Sequence, residues 1–283
     1  MKKAKLLLLS LLFSYCSSYE EMSMEEDKAF QKLKESDTFY QEYFIQNKKE
    51  ETPVHWISTG CKTEKNKILI FIHGSPGNWS NYLRYLKDPE LLKMYCMLGV
   101  DRPGFGKSPG AIADVNSQAE KILGTLTKLP EIQKGKKSIT ILGHSYGGPV
   151  AARMAALAPE KFQYLFLLAA AMDPEAEEIR WYNIIADTWV VGWILPAEWT
   201  HSNSEMLPLK EQLQNLNSEW KKIKAKTIVI QGEEDGLVDP KNLEFVQKNF
   251  AAEIKAYLLP KEGHFLPWKN YDLIHKLLIE FSK

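Results

Sequence analysis

Three side chains in the second half of this sequence have the types and the order that nucleophilic catalysis uses: Ser145, Asp235 and His264. Ser145 sits in Gly143-His144-Ser145-Tyr146-Gly147-Gly148, between an apolar run and an alanine-rich one. Glycines at 143 and 147 remove the side chains that would crowd a sharp turn, so the serine can point out of it. A serine that merely caps the following helix would suit the same place. A serine hydroxyl attacks a carbonyl only when a base takes its proton, and the base needs an acid to orient it. His264, in EGHFLPW, is the base expected from chain order; Asp235, closing IVIQGEED, is the preferred acid. Asp239, just before Pro240, is the other acid in range, and it also suits the cap of a helix starting there.

The remaining histidines fit other tasks. His144 neighbours the serine but points elsewhere on the turn, and His73 shapes the loop that follows its strand. His55, His201 and His275 read as surface or cap residues, with His201 placed to touch a substrate. A tetrahedral oxyanion requires two fixed N–H donors. The backbone of Tyr146, directly after the serine, offers one. Ser75, in His73-Gly74-Ser75-Pro76-Gly77, offers the other.

Such residues must be carried by a rigid frame. Short apolar, β-branched-rich runs occur at 67–74, 94–102, 137–145, 163–171, 225–235 and 255–264. Helical patterns lie between or after them, at 79–93, 115–129, 146–158, 240–249 and 266–282. Near-continuous apolar strands alternating with helices predict a parallel sheet covered on both faces. In such a sheet function collects at the carboxyl ends of the strands, where every candidate residue lies. The interval 172–222, with Trp181, Trp189, Trp193, Trp199 and Trp220, is too long for a loop and predicts a small inserted helical cap. Its aromatics suit either an apolar substrate pocket or a core of the cap itself. Residues 17–52 form a charged extension in which Phe30, Leu33, Tyr40 and Phe44 fall on one helical face, so a tether or docked helix is expected before a main domain at 53–283.

Taken together, HGSPGN (73–78), DRPGFGKS (101–108), GHSYGG (143–148), GEEDGLVDP (232–240) and GHF (263–265) resemble the α/β-hydrolase fold family. The resemblance covers about residues 53–283. It implies an α/β-hydrolase sheet with a helical cap, Ser145 as nucleophile, Asp235 as acid, His264 as base, and Ser75 and Tyr146 as oxyanion-hole donors. In DRPGFGKS it implies that Asp101 and Arg102 brace the site. A serine at the elbow separates the chain from the dehalogenase and epoxide hydrolase branches, which use aspartate there, and favours acyl transfer. The HGSPG loop is also similar to that of proline iminopeptidases, whose acidic cap residues hold a substrate amine; Glu175, Glu177, Glu178 and Glu205 are the acids available here. The expected function is therefore a serine carboxylesterase or acyl hydrolase acting on an apolar acyl ester. An iminopeptidase and a non-catalytic binding protein on the same scaffold are the alternatives. No cofactor or metal is called for by this chemistry, and no Cys/His cluster has metal-ligand spacing.

Composition agrees with an ordinary folded domain. Of 283 residues 45% are hydrophobic, and 36 basic residues balance 36 acidic ones, so there is no basic footprint for nucleic acid. The first residues, MKKAKLLLLSLLFSYC, have the basic start and short apolar run of a secretory signal peptide. The run falls well short of the ~20 residues that span a bilayer. Phe13-Ser14-Tyr15-Cys16 resembles a bacterial lipobox, except that Tyr15 stands where a small residue is usual. Cleavage alone would give a soluble exported protein; lipidation of Cys16 would hold it on a membrane. Without residues 1–15 the chain carries a net charge of −3. Cys61 and Cys96 could pair after export, but Cys96 lies in an apolar run, which favours a buried free thiol.

Overall fold

The computed structural model describes residues 25–134, 137–178, 183–184 and 195–281. The expected signal segment with Cys16, and Trp181, Trp189 and Trp193 of the expected cap, lie outside them.

Eight strands form one sheet: β1 (Tyr40–Ile45), β2 (Val54–Thr59), β3 (Lys67–Ile72), β4 (Cys96–Val100), β5 (Ser138–His144), β6 (Phe162–Leu168), β7 (Lys226–Gly232) and β8 (Ile254–Leu259). Their order is β1-β2-β4-β3-β5-β6-β7-β8. β1 and β2 run antiparallel to their neighbours, and all pairs from β4 to β8 are parallel. Side chains alternate across the pleat, so β3 sends Ile68, Ile70 and Ile72 into one core and Leu69 and Phe71 into the other. The first core is closed by α2 (Val115–Leu126) and α3 (Gly147–Leu157), the second by α1 (Glu26–Glu35) and α7 (Tyr271–Glu280). Burial on both faces is why the inner strands β3 to β7 read as near-continuous apolar runs rather than alternating ones, while the edge strands β1 and β8 are partly exposed.

Three local readings change. The sheet begins before residue 53. α1 ends at Glu35, Asp37 turns the chain at φ +50°, and Tyr40 and Phe44 lie on β1 rather than on a common helical face. Only Ala29 and Leu33 of α1 are buried. The helix expected at 79–93 is broken, because Pro89 has no N–H to continue it; Asp88 caps the new start, accepting from the N–H groups of Glu90 and Leu91. Cys96 is not a free thiol: it forms a disulfide with Cys61, at a Cα–Cα separation of 4.6 Å. The apolar surroundings that suggested a thiol bury a disulfide equally well.

In the interval 172–222, α4 (Ala197–Met206) and α5 (Leu209–Leu216) are helical. Leu209, Leu213, Leu216 and Trp220 pack into the sheet's first core, with Trp220 fully buried, so this stretch is seated on the main domain. Trp199 on α4 remains 57% exposed. Among the described residues no helix is long and apolar enough to cross a membrane.

Candidate active site

Ser145 stands between the end of β5 and the start of α3, at φ +54°. A non-glycine residue in this region costs about 1–3 kcal/mol and persists only where its surroundings enforce it. Here the enforcing contacts are visible. The Ser145 N–H donates to Leu168 O at 3.1 Å, and Gly148 N–H donates back to Ser145 O at 2.9 Å. A Cβ on Gly143 would run into Gly147 O, and one on Gly147 into the carbonyls of Ile72 and His73. The two glycines therefore let strand, elbow and helix approach more closely than any other residue would permit. A Cβ on Gly74 would lie 3.1 Å from Ser145 Cβ, which puts the 73–77 loop directly beside the serine.

Asp235 and His264 come from the loops after β7 and β8, neighbouring strands of the sheet. His264 Nδ1 is 2.9 Å from Asp235 Oδ2. Gln231 Nε2 donates to the same oxygen at 3.0 Å, while the N–H groups of Leu237 and Val238 both donate to Oδ1 at 2.9 Å. Burial opposes ionisation of Asp235, but its bond and charge interaction with His264 and these two N–H donors outweigh that, so its pKa is lowered. An ionised, fully occupied carboxylate fixes the His264 ring and keeps its proton on Nδ1. Asp239 does not touch His264; its carboxylate accepts from Lys241 N–H at 2.9 Å, at the start of α6 (Lys241–Asn249).

His144 has more to do than its sequence position suggested. Its buried ring packs 4.8 Å from the His264 ring, and its Nε2 is 3.0 Å from the His264 carbonyl. Burial, and then the neighbouring His264, lower its pKa to about 3. The neutral imidazole thus donates from Nε2 and anchors the loop that carries His264 against the elbow that carries Ser145. His73 is likewise buried and held well below its ordinary pKa, by burial and then by Arg102. It lies 2.7 Å through Nδ1 from Gly74 O and accepts the Arg102 backbone N–H on Nε2 at 2.9 Å.

His55 is not a surface residue. It is fully buried on β2, with Nδ1 2.6 Å from Asp101 Oδ2 and Nε2 2.9 Å from Glu42 Oε1. Asp101 also accepts the N–H groups of Trp79 and Lys107, so it ties the loop after β4 to the chain after the 73–77 loop. Its partners are 13 to 46 residues from His55 in sequence, and no local pattern announces them. His201, on α4, meets Gly104 O at 2.7 Å; His275 pairs with Asp88 at 3.1 Å on a half-buried surface. Of the cap acids, Glu205 is buried and spends both oxygens on Arg102 and Gln118, while Glu175 is exposed beside Lys210.

This geometry can be set beside known proteins. A family profile described as the alpha/beta hydrolase fold matches residues 67–193, and one described as the prolyl oligopeptidase family matches residues 131–281. The chain belongs to the α/β-hydrolase family. An acetyltransferase component of the acetoin cleaving system of Pseudomonas putida is 32% identical over 120 residues, 42% of this chain and 30% of that protein. A pimeloyl-[acyl-carrier protein] methyl ester esterase of Photobacterium profundum is 34% identical over 103 residues, 36% of this chain and 37% of that one. The chain thus matches only about a third of the length of these curated relatives. An esterase from Exiguobacterium antarcticum superposes with a TM-score of 0.65 at 20% identity, over 86% of this chain and 99% of that one, and shares the fold.

Proposed function

We propose that the protein is a serine carboxylesterase working through an acyl-enzyme. The observation that carries this reading is the buried His264–Asp235 pair at 2.9 Å, anchored through His144 to an elbow that holds Ser145 at φ +54°. Ser145 Oγ attacks the ester carbonyl as His264 Nε2 takes its proton. The carbonyl electron pair moves to oxygen and is held by the N–H groups of Ser75 and Tyr146. Collapse expels the alcohol, which receives the proton from His264. Water then enters by the same steps in reverse, releasing the acid and the free serine. The positive end of α3, which begins at Gly147, faces the same oxyanion.

The substrate is read as a small apolar acyl ester, supported by the esterase among the curated relatives and the exposed Leu237 and Phe265 beside the acid and the base. A peptidase reading has one observation in its favour, the prolyl oligopeptidase profile over residues 131–281. Export is part of the proposal, supported by the basic and apolar first residues and by the Cys61–Cys96 disulfide, which suits an oxidising compartment.

The test is a series of p-nitrophenyl esters from acetate to long acyl chains, with proline p-nitroanilide alongside, on wild type and Ser145→Ala. Ester turnover that falls by at least about 10⁴ in the variant is expected. Anilide turnover without ester turnover would move the protein to the peptidases. Activity retained by Ser145→Ala would end the nucleophile assignment.

A further inference from the structure

Arg102 lies at the centre of a buried group of mutually bonded polar side chains near the site. It is fully buried, and all five of its guanidinium N–H groups are used. Nε donates to His73 O at 2.9 Å, and Nη2 donates to Gly74 O at 2.9 Å and to Glu205 Oε2 at 3.1 Å. Nη1 donates to Gln118 Oε1 at 2.8 Å and to Glu205 Oε1. Gln118, on α2, closes the ring by donating to Glu205 Oε1 at 2.7 Å. The guanidinium is flanked by the rings of Phe105 and Tyr146, 4.7 and 4.8 Å away. Bracing the loop by Arg102 needs only the two carbonyl bonds. The carboxylate comes from α4, the cap helix, 103 residues away in sequence.

The two carbonyls Arg102 grips are informative. Gly74 C=O and Ser75 N–H belong to one planar peptide unit, so fixing the direction of the oxygen fixes the direction of the N–H. Among the described residues only Ser75–Pro76 is cis, so the Gly74–Ser75 N–H points opposite to the carbonyl that Arg102 holds. Tyr146, the other donor residue, packs its ring on the same guanidinium. Arg102 therefore touches both halves of the oxyanion hole, and Glu205 is the carboxylate that balances and aims it. A guanidinium that loses its counter-charge in a dry interior must shift toward water or another acceptor.

We infer that Glu205 is a positioning residue for catalysis: the seating of α4 on Arg102 sets the angle of the Ser75 N–H, so cap position and oxyanion stabilisation are one linked element. This rests on the serine-hydrolase reading given above.

The experiment compares wild type, Glu205→Gln and Gln118→Met on p-nitrophenyl acetate and butyrate, with folding checked by circular dichroism and melting temperature. Deleting an oxyanion donor outright costs about 10²–10³ in kcat; misaiming one is expected to cost about 10–100-fold in Glu205→Gln, with KM changed less than about threefold. Gln118→Met, which removes the bonds to Arg102 and Glu205, a third to the Ile112 carbonyl, and no charge, should move kcat the same way by a smaller factor; if Glu205→Gln does not fold, this variant decides alone. A second readout is inhibition by an alkyl trifluoromethyl ketone. Ser145 Oγ adds to its carbonyl carbon, the serine proton passes to His264, and the carbonyl oxygen becomes the anion in the hole. Its Ki should weaken by the same factor as kcat/KM. A rise in KM at constant kcat, or an unchanged trifluoromethyl ketone Ki, would overturn the inference and leave Glu205 a structural cap contact. The serine-hydrolase reading fails separately, by ester turnover surviving in Ser145→Ala.

Discussion

Replacing Asp235 by asparagine tests the acid–base pair most directly, because the structure dictates how the amide must lie. Asp235 Oδ1 accepts two backbone N–H groups, from Leu237 and Val238, which cannot become acceptors. The asparagine oxygen therefore takes that position, and its NH2 group is forced into the place of Oδ2. That place faces His264 Nδ1 at 2.9 Å and Gln231 Nε2 at 3.0 Å, both donors to the carboxylate. His264 can relieve the clash only by moving its proton to Nε2, which turns the nitrogen that should accept the Ser145 proton into a donor. Recovering the active tautomer means losing a buried hydrogen bond and leaving a donor unpaired, each worth about 1–3 kcal/mol. The matching loss in the triad template is about 10⁴ in kcat. A fall of about 10³–10⁴ in kcat for p-nitrophenyl butyrate is expected, equivalent to about 4–5.5 kcal/mol at 1.36 kcal/mol per tenfold. Asp239→Asn is the control and should stay within about twofold, since that carboxylate only caps α6. Active-site titration with a fluorophosphonate corrects for the fraction folded. A loss below about tenfold in Asp235→Asn, or a larger loss in Asp239→Asn, would refute the assignment of the acid.

Two further outcomes concern stability. Reducing the Cys61–Cys96 disulfide, or replacing both cysteines by alanine, opens a loop of 35 residues, and chain entropy alone puts the cost at about 3–4 kcal/mol. The melting temperature should fall by several degrees, and an unchanged melting curve under reductant would show the bond adds nothing. On α1, burial, then the negative charge of Asp101, push Glu26 up from an ordinary 4.5 to about 8. The folded protein then holds a proton that the unfolded chain releases, so the contribution of this group is complete below about pH 4.5 and is lost as the pH rises through about 8. Glu26→Gln, which needs no proton, should melt above wild type at pH 9 and match it near pH 5; equal melting points at both pH values would contradict this.

Several features were legible in the residues because their causes are local. Apolar runs of five to seven residues between helical patterns announce strands buried on both faces, and β3 to β7 lie where those runs are. Gly143 and Gly147 flag a strand-to-helix turn because sterics at that turn exclude every other side chain. Chain order put Asp235 and His264 after successive strand-like runs, with Asp239 as the other acid in range, and in the fold it is Asp235 that meets His264, at 2.9 Å.

Other features arose only when distant segments met. Nothing near His55 says that Asp101 and Glu42 will enclose it, and nothing near Cys96 says that Cys61, just past the end of the neighbouring strand β2, lies within bonding distance. Phe30, Leu33, Tyr40 and Phe44 keep a helical spacing, yet β2 offers Tyr40–Ile45 a row of unpaired backbone groups, and pairing with it outweighs the helix pattern. Glu205 looked like any acid on a cap helix until α4 was laid against Arg102. Backbone sterics and side-chain periodicity act over a few residues and can be read in one dimension. Burial, charge pairing and the aim of a hydrogen-bond donor depend on which atoms share a volume, and only the folded chain settles that.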